Sequence, residues 1–223
     1  MAGRLRIKNE FGKRPVESFS KDTKLVYLIS IASEGKTEEQ YFDGIYDLES
    51  SDIIKIERLE KIEETDTKSH PNHVIDLLNE RKEQWEEHGV EPNELWMVVD
   101  RDKQNVSAEQ IDNIIEKCNT EGYNLALSNP TFEFWLLLHL KDVKEYPHEI
   151  LLNNEKVNKN RRFIDKELSN ILGGYSKKKL QFERFESGIK DAINRAKELV
   201  VDNAELKDKL GTSVCLLVEK LIK

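Results

Sequence analysis

Apolar runs alternating with amphipathic stretches constrain this chain more than any other feature. KLVYLISIAS (24–33), ELWMVVD (94–100) and YNLALSN (123–129) are short and rich in Val, Ile, Leu and aromatic residues, so they read as buried strands. IIKIERLE (53–60) alternates apolar and charged residues, which places it nearer a sheet edge. Helical patterns separate these runs. KTEEQYFDGIYDL (36–48) puts Tyr41, Phe42, Ile45 and Leu48 on one face. The stretch 70–89 has Pro71 near its start and Gly89 after its end, and 107–122 opens on a Ser107 cap and stops at Gly122. TFEFWLLLHL (131–140) is a short, strongly apolar helix. Strands alternating with helices predict an α/β fold, a mostly parallel sheet with helices on both faces.

The remainder of the chain differs. Residues 1–22 lack periodicity and read as a flexible basic arm, 23–146 as the α/β core, and 147–223 as a helical extension packed on it. From about Pro147 onward no strand is expected. Helices are expected over 157–174, 181–203 and 212–223, the second with apolar spacing at Ile189, Ile193 and Ala196 to Val200.

A chain of 223 residues with 38% hydrophobic content can bury a sizeable core. No apolar run approaches a membrane span, and the N-terminus has basic residues without an apolar signal region. Cys118 and Cys215 have no CxxC spacing, so reduced thiols in a cytoplasm are expected. The net charge of -8 argues against a protein that coats nucleic acid. Basic residues nevertheless cluster at Arg4, Arg6, Lys8, Lys13 and Arg14, at Arg161 and Arg162, and at Lys177, Lys178 and Lys179; each cluster can also be a solvated face.

Three acids fall where a parallel sheet binds ligands, at the carboxyl ends of strands. Glu34 follows the first strand, and Asp100 and Asp102 follow the third. Residues i and i+2 in such a turn can face one side, so the DxD pair can hold one ion, with Glu34 converging from a neighbouring strand. Hard oxygen donors without His or Cys indicate Mg²⁺ or Mn²⁺ rather than zinc. The bland alternatives are aspartates that cap the following turn, and a Gly35–Thr37 turn and helix cap beside Glu34. Lys36 could neutralise a scissile phosphate or stand solvated in the first helical turn. Lys177, Lys178 and Lys179 follow Gly173 and Gly174, a Gly-rich basic loop able to approach a phosphate backbone. No GxxxxGK[ST] occurs, so the chain is not itself a P-loop ATPase, and no HExxH, zinc-finger spacing or Ser/His/Asp set is visible.

The order EGKTEEQYF, DRD, SNPTFEFWLLLH resembles the RloB-like family, over roughly residues 24–223. GGYSKKK and GTSVCLLVEKLIK are also similar, less distinctively. That family is similar to the Toprim metal-dependent fold of topoisomerases, primases and OLD-type nucleases. The resemblance implies a Toprim-like core, divalent-metal-dependent nucleic-acid cleavage in anti-phage defence, and a partner ATPase encoded nearby. It implies that Glu34 is a general acid/base or metal ligand and that Asp100 and Asp102 are metal ligands. Glu133, in the NPTFE segment, is implied as a further ligand or catalytic carboxylate; its alternative is a buried acid bonded to free amides at a helix N-terminus. His139, Phe132 and Trp135 read as core. The expected partners are DNA or RNA and the ATPase, with no membrane; a homodimer stays open. Two rivals remain: a non-catalytic nucleic-acid-binding or regulatory subunit with the same fold, and a nucleotidyl transferase of primase type.

Overall fold

The computed structural model describes residues 27–33, 35–48, 54–59, 71–87, 94–159 and 161–222; the expected arm over 1–22 lies outside them. The elements are β1 (Tyr27–Ser33), α1 (Lys36–Leu48), β2 (Ile54–Leu59), α2 (Pro71–Glu87), β3 (Glu94–Asp100), α3 (Ala108–Glu121), β4 (Asn124–Asn129) and α4 (Phe132–Leu140). After these come α5 (His148–Asn153), β5 (Lys156–Asn158), β6 (Arg161–Arg162), α6 (Phe163–Leu172), α7 (Glu183–Glu186), α8 (Ile189–Lys197), α9 (Asn203–Leu206), β7 (Gly211–Thr212) and α10 (Val214–Leu221).

The fold is mixed α/β. The main sheet has the order β2-β1-β3-β4-β7. β1 to β4 are parallel and β7 runs antiparallel to β4. β2 is an edge strand, as its alternating pattern predicts. Strand order reverses between β1 and β3, and in an open α/β sheet the crevice outside the carboxyl ends at such a point is where ligands bind. Ser33 pairs with Val98, so β1 ends two residues short of the level of Asp100.

β3 is apolar on both faces because both faces are covered. Leu95, Met97 and Val99 pack with Ile75 and Leu78 of α2 and with Ile111, Ile114 and Cys118 of α3. Trp96 and Val98 join the opposite core with Tyr41, Phe42 and Ile45 of α1 and with α4. α4 is apolar all round apart from Glu133 and His139, and it is buried from Phe132 to His139 because α6 and α8 pack against it as well. Ile164, Leu168, Phe185, Ile189, Ala192 and Val218 belong to this same core, so the helices after residue 147 share it with the sheet.

Two expectations for the later part are corrected. Strands do occur after Pro147. β5 and β6 form a hairpin where a helix was expected, and that helix starts only at Phe163. β7 pairs Thr212 with Ser128 and Gly211 with Asn129, extending the sheet beyond β4. Strands of two or three residues carry no period of their own; the partner strand creates them. The expected long helix over 181–203 is broken at Gly188 into α7 and α8.

Candidate functional site

Asp100 ends β3, and the backbone leaves the sheet through Arg101 and Asp102. The Arg101 N–H donates to Ser128 O at 2.8 Å and the Asp102 N–H to Pro130 O at 3.0 Å, so the turn is fastened to the loop after β4. The Arg101 side chain is buried. Its Nε donates to Lys207 O at 2.7 Å and its Nη1 to Val106 O. Burial lowers the Arg101 pKa, with Asp208 and Asp102 opposing. Between two acids, Arg101 thus braces the loop from within.

Asp102 is held from several directions. Its Oδ2 accepts from Asn105 Nδ2 at 2.7 Å, and its backbone O accepts from the Asn105 and Val106 N–H groups at 2.8 and 3.0 Å. Arg162, in β6, brings Nη2 to 3.6 Å from Asp102 Oδ1 and donates to Gln104 Oε1 at 2.9 Å. The loop is therefore a closed turn with Asp102 presented at its rim, which agrees with both the ligand reading and the turn-capping one.

Glu133 is reached through Arg162. The Arg162 backbone N–H donates to Asp165 Oδ2 at 3.2 Å, a cap at the start of α6. Asp165 Oδ1 lies 3.2 Å from Lys177 Nζ, and Lys177 Nζ lies 3.0 Å from Glu133 Oε2. Tyr175 donates its hydroxyl to Glu133 Oε1 at 3.3 Å. Glu38, in the first turn of α1, completes the row. It is buried, and burial first and the Glu133 carboxylate second push its pKa up to about 7. An added Cβ at Gly35 would stand 2.7 Å from Glu38 Oε2, so glycine is what lets this carboxyl lie against the backbone. Asp102, Arg162, Asp165, Lys177, Glu133 and Glu38 thus form a continuous belt of ionisable groups along one edge of the fold.

The expected site residues fare differently. Glu34 lies outside the described residues. Lys36 is exposed at the first position of α1. Lys177, expected on a phosphate backbone, turns its ammonium onto Glu133 and Asp165; burial opposes its charge, but the two carboxylates outweigh it and raise its pKa. Its backbone O also accepts from Thr37 Oγ1 at 3.2 Å. Lys178 and Lys179 are exposed. Glu133 is buried and ion-paired. Among the described residues no group of three or more His, Cys, Asp or Glu side chains is placed to hold a metal.

His139 is a core residue. Its Nδ1–H donates to Trp135 O at 2.9 Å, and its Nε2 accepts from the Tyr41 hydroxyl at 3.0 Å, which sets one neutral tautomer. Burial lowers its pKa to about 3.

Sequence reasoning missed Glu38, Asp165 and Tyr175. Glu38 has a local signal, since it lies four residues after Glu34 in the sequence. Asp165 has only that of an acid in a first turn, and nothing local ties it to Glu133.

The model of the family described as RloB-like protein matches residues 29–221. The chain belongs to the RloB-like family. The match spans the sheet, the belt and the helices that share their core, so this RloB-like chain has the family's pattern from β1 to α10. A search of curated proteins and a search of solved structures each gave no match. No helix among the described residues is long and apolar enough to cross a membrane.

Proposed function

We propose that this chain is a divalent-metal-dependent nuclease of Toprim-like fold that hydrolyses phosphodiesters of DNA or RNA. One observation carries the reading: Asp100 and Asp102 stand at the carboxyl end of β3, beside the point where the strand order reverses. Magnesium is ordinarily held by one or two carboxylates, with water and substrate phosphate completing its shell, and this all-oxygen pair fits that demand. Asp100 and Asp102 are the residues that would hold Mg²⁺ or Mn²⁺, with Glu34 as the third donor. When bound, such an ion supplies Lewis-acid polarisation of a phosphate and a more acidic water.

The chain's own groups have distinct roles. Arg101 fixes the loop so that Asp102 does not wander. Arg162 lies close enough to Asp102 to meet a phosphate oxygen placed there. Glu38, with a pKa near neutrality, can exchange a proton at working pH. The family resemblance, rather than the geometry, supports a role in anti-phage defence, a partner ATPase and a cytoplasmic setting.

A second reading, a non-catalytic binding or regulatory subunit, draws on the ion pairs that already occupy Asp102 and Glu133. One experiment separates them. The full chain is titrated with Mn²⁺ by calorimetry, then incubated with DNA and RNA in Mg²⁺ or Mn²⁺, with and without the ATPase. Wild type should bind the ion and cleave. Asp100→Asn with Asp102→Asn should lose binding and at least about a hundredfold in rate. Equal Mn²⁺ binding by both proteins would overturn the site as assigned.

A further inference from the structure

We propose that the β5–β6 hairpin is the surface that holds the sugar-phosphate backbone of a nucleic-acid strand beside Asp102, with Lys156, Lys159 and Arg161 as its phosphate contacts. This rests on the nuclease reading above and names how its substrate is gripped.

The first support is charge. Residues 156–162 include Lys156, Lys159, Arg161 and Arg162 and no acid, in a chain whose net charge is -8. Several lysines elsewhere are neutralised, Lys144 by Glu198, Lys197 by Glu219, Lys207 by Asp112 and Lys220 by Glu94. Lys156, Lys159 and Arg161 are exposed and have no carboxylate partner among the described residues. Arg161 gives Nη1 to Ser169 Oγ at 2.7 Å, which orients the guanidinium without cancelling its charge. A tight group of uncancelled cations repels itself, and a polyanion relieves that repulsion.

The second support is position. Arg162 belongs to the same hairpin and reaches Asp102 and Gln104. Lys156 pairs with Arg162 across the hairpin, and Asn158 with Arg161. Paired strands lie about 4.8 Å apart, so Lys156 is one strand away from the residue that touches the Asp102 loop. A strand lying along these cations therefore passes the rim where Asp102 is presented. Lys177 is tied inward, which leaves the hairpin the larger exposed cation group next to that rim.

The test is fluorescence anisotropy with labelled single-stranded DNA and RNA and their duplexes, using the full chain in EDTA so that nothing is cleaved. Affinity is followed from 50 to about 300 mM salt. The Lys156→Gln, Lys159→Gln, Arg161→Gln triple variant should bind about tenfold or more weakly near 100 mM salt. Its slope of log affinity against log salt should shrink by about 2 to 3, since each of the three phosphate contacts contributes about 0.7 to 0.9. Lys156→Arg, Lys159→Arg, Arg161→Lys should keep the wild-type slope, and an unchanged circular-dichroism melt of the Gln triple variant excludes loss of fold as the cause. A wild-type slope in the Gln triple variant overturns the hairpin assignment and leaves the nuclease reading standing. Polyglutamate that displaces the oligonucleotide at equal charge concentration overturns nucleic acid as the occupant. Wild type that binds neither DNA nor RNA in EDTA overturns the hairpin proposal, and the nuclease reading is then judged separately by the cleavage assay in Mg²⁺ or Mn²⁺.

Discussion

Lys177 Nζ stands 3.0 Å from Glu133 Oε2 and anchors the loop after Gly173 and Gly174 to the first turn of α4. Both glycines have positive φ, 64° and 147°, so the chain turns sharply out of α6 before Tyr175 and Lys177 descend on the acids. One ammonium thus offsets Glu133 and Asp165 and also lowers the pKa of Glu38.

Replacing that cation exposes what it balances. Lys177→Met should lose about 1 to 2 kcal/mol at neutral pH, less than a fully buried pair would because the side chain is half exposed. Urea denaturation reads the change. Wild-type stability in the variant would show that solvent screens this pair.

Glu38 predicts a pH effect of defined sign. Its folded pKa, about 7, is above the ordinary 4.5, so between these values the folded state holds a proton that the unfolded state has released. Its contribution is fully present below about 4.5 and is lost as pH rises through 7. Glu38→Gln should flatten the stability profile across that window, measured as midpoint against pH. An unchanged profile would remove Glu38 from the candidate proton-exchanging groups.

His139 acts in the opposite sense. Its folded pKa is depressed to about 3 from 6.5, so on acidification the unfolded state takes up a proton that the core refuses. Stability should fall as pH drops from about 6.5 towards 3. In His139→Gln that part of the slope should vanish, at the cost of a lower midpoint at pH 7 from the disturbed Tyr41 and Trp135 bonds. Chemical denaturation at several pH values distinguishes the two effects.

Gly188 lets α8 meet α4. An added Cβ there would stand 2.2 Å from His139 O, a backbone atom that cannot swing aside. Gly188→Ala should destabilise by about 1 to 3 kcal/mol or more, the usual range for overpacking. Gly44→Ala, whose Cβ would meet the Phe182 ring at 2.0 Å, should cost less if the side chain yields. Thermal melts of the two variants give the order.

The sequence by itself determined the strand–helix alternation from β1 to α4. Each of those elements carries its own signal: period in α1, apolar continuity in β3, and the Ser107 cap and Gly122 stop of α3, where Ser107 and Gln110 form a reciprocal capping box. The placement of Asp100 and Asp102 was legible for the same reason, since a strand's end is a local property. Tertiary structure decided what depends on residues distant in the chain. β7 exists because Thr212 and Gly211 meet the end of β4, and the β5–β6 hairpin displaces the helix expected there because pairing, not period, forms such short strands. Lys177 meets acids from α4 and α6, so its role follows from packing rather than from the glycines beside it. Periodicity encodes which face of an element is buried; only the packed core decides which charged groups that burial brings within reach of one another.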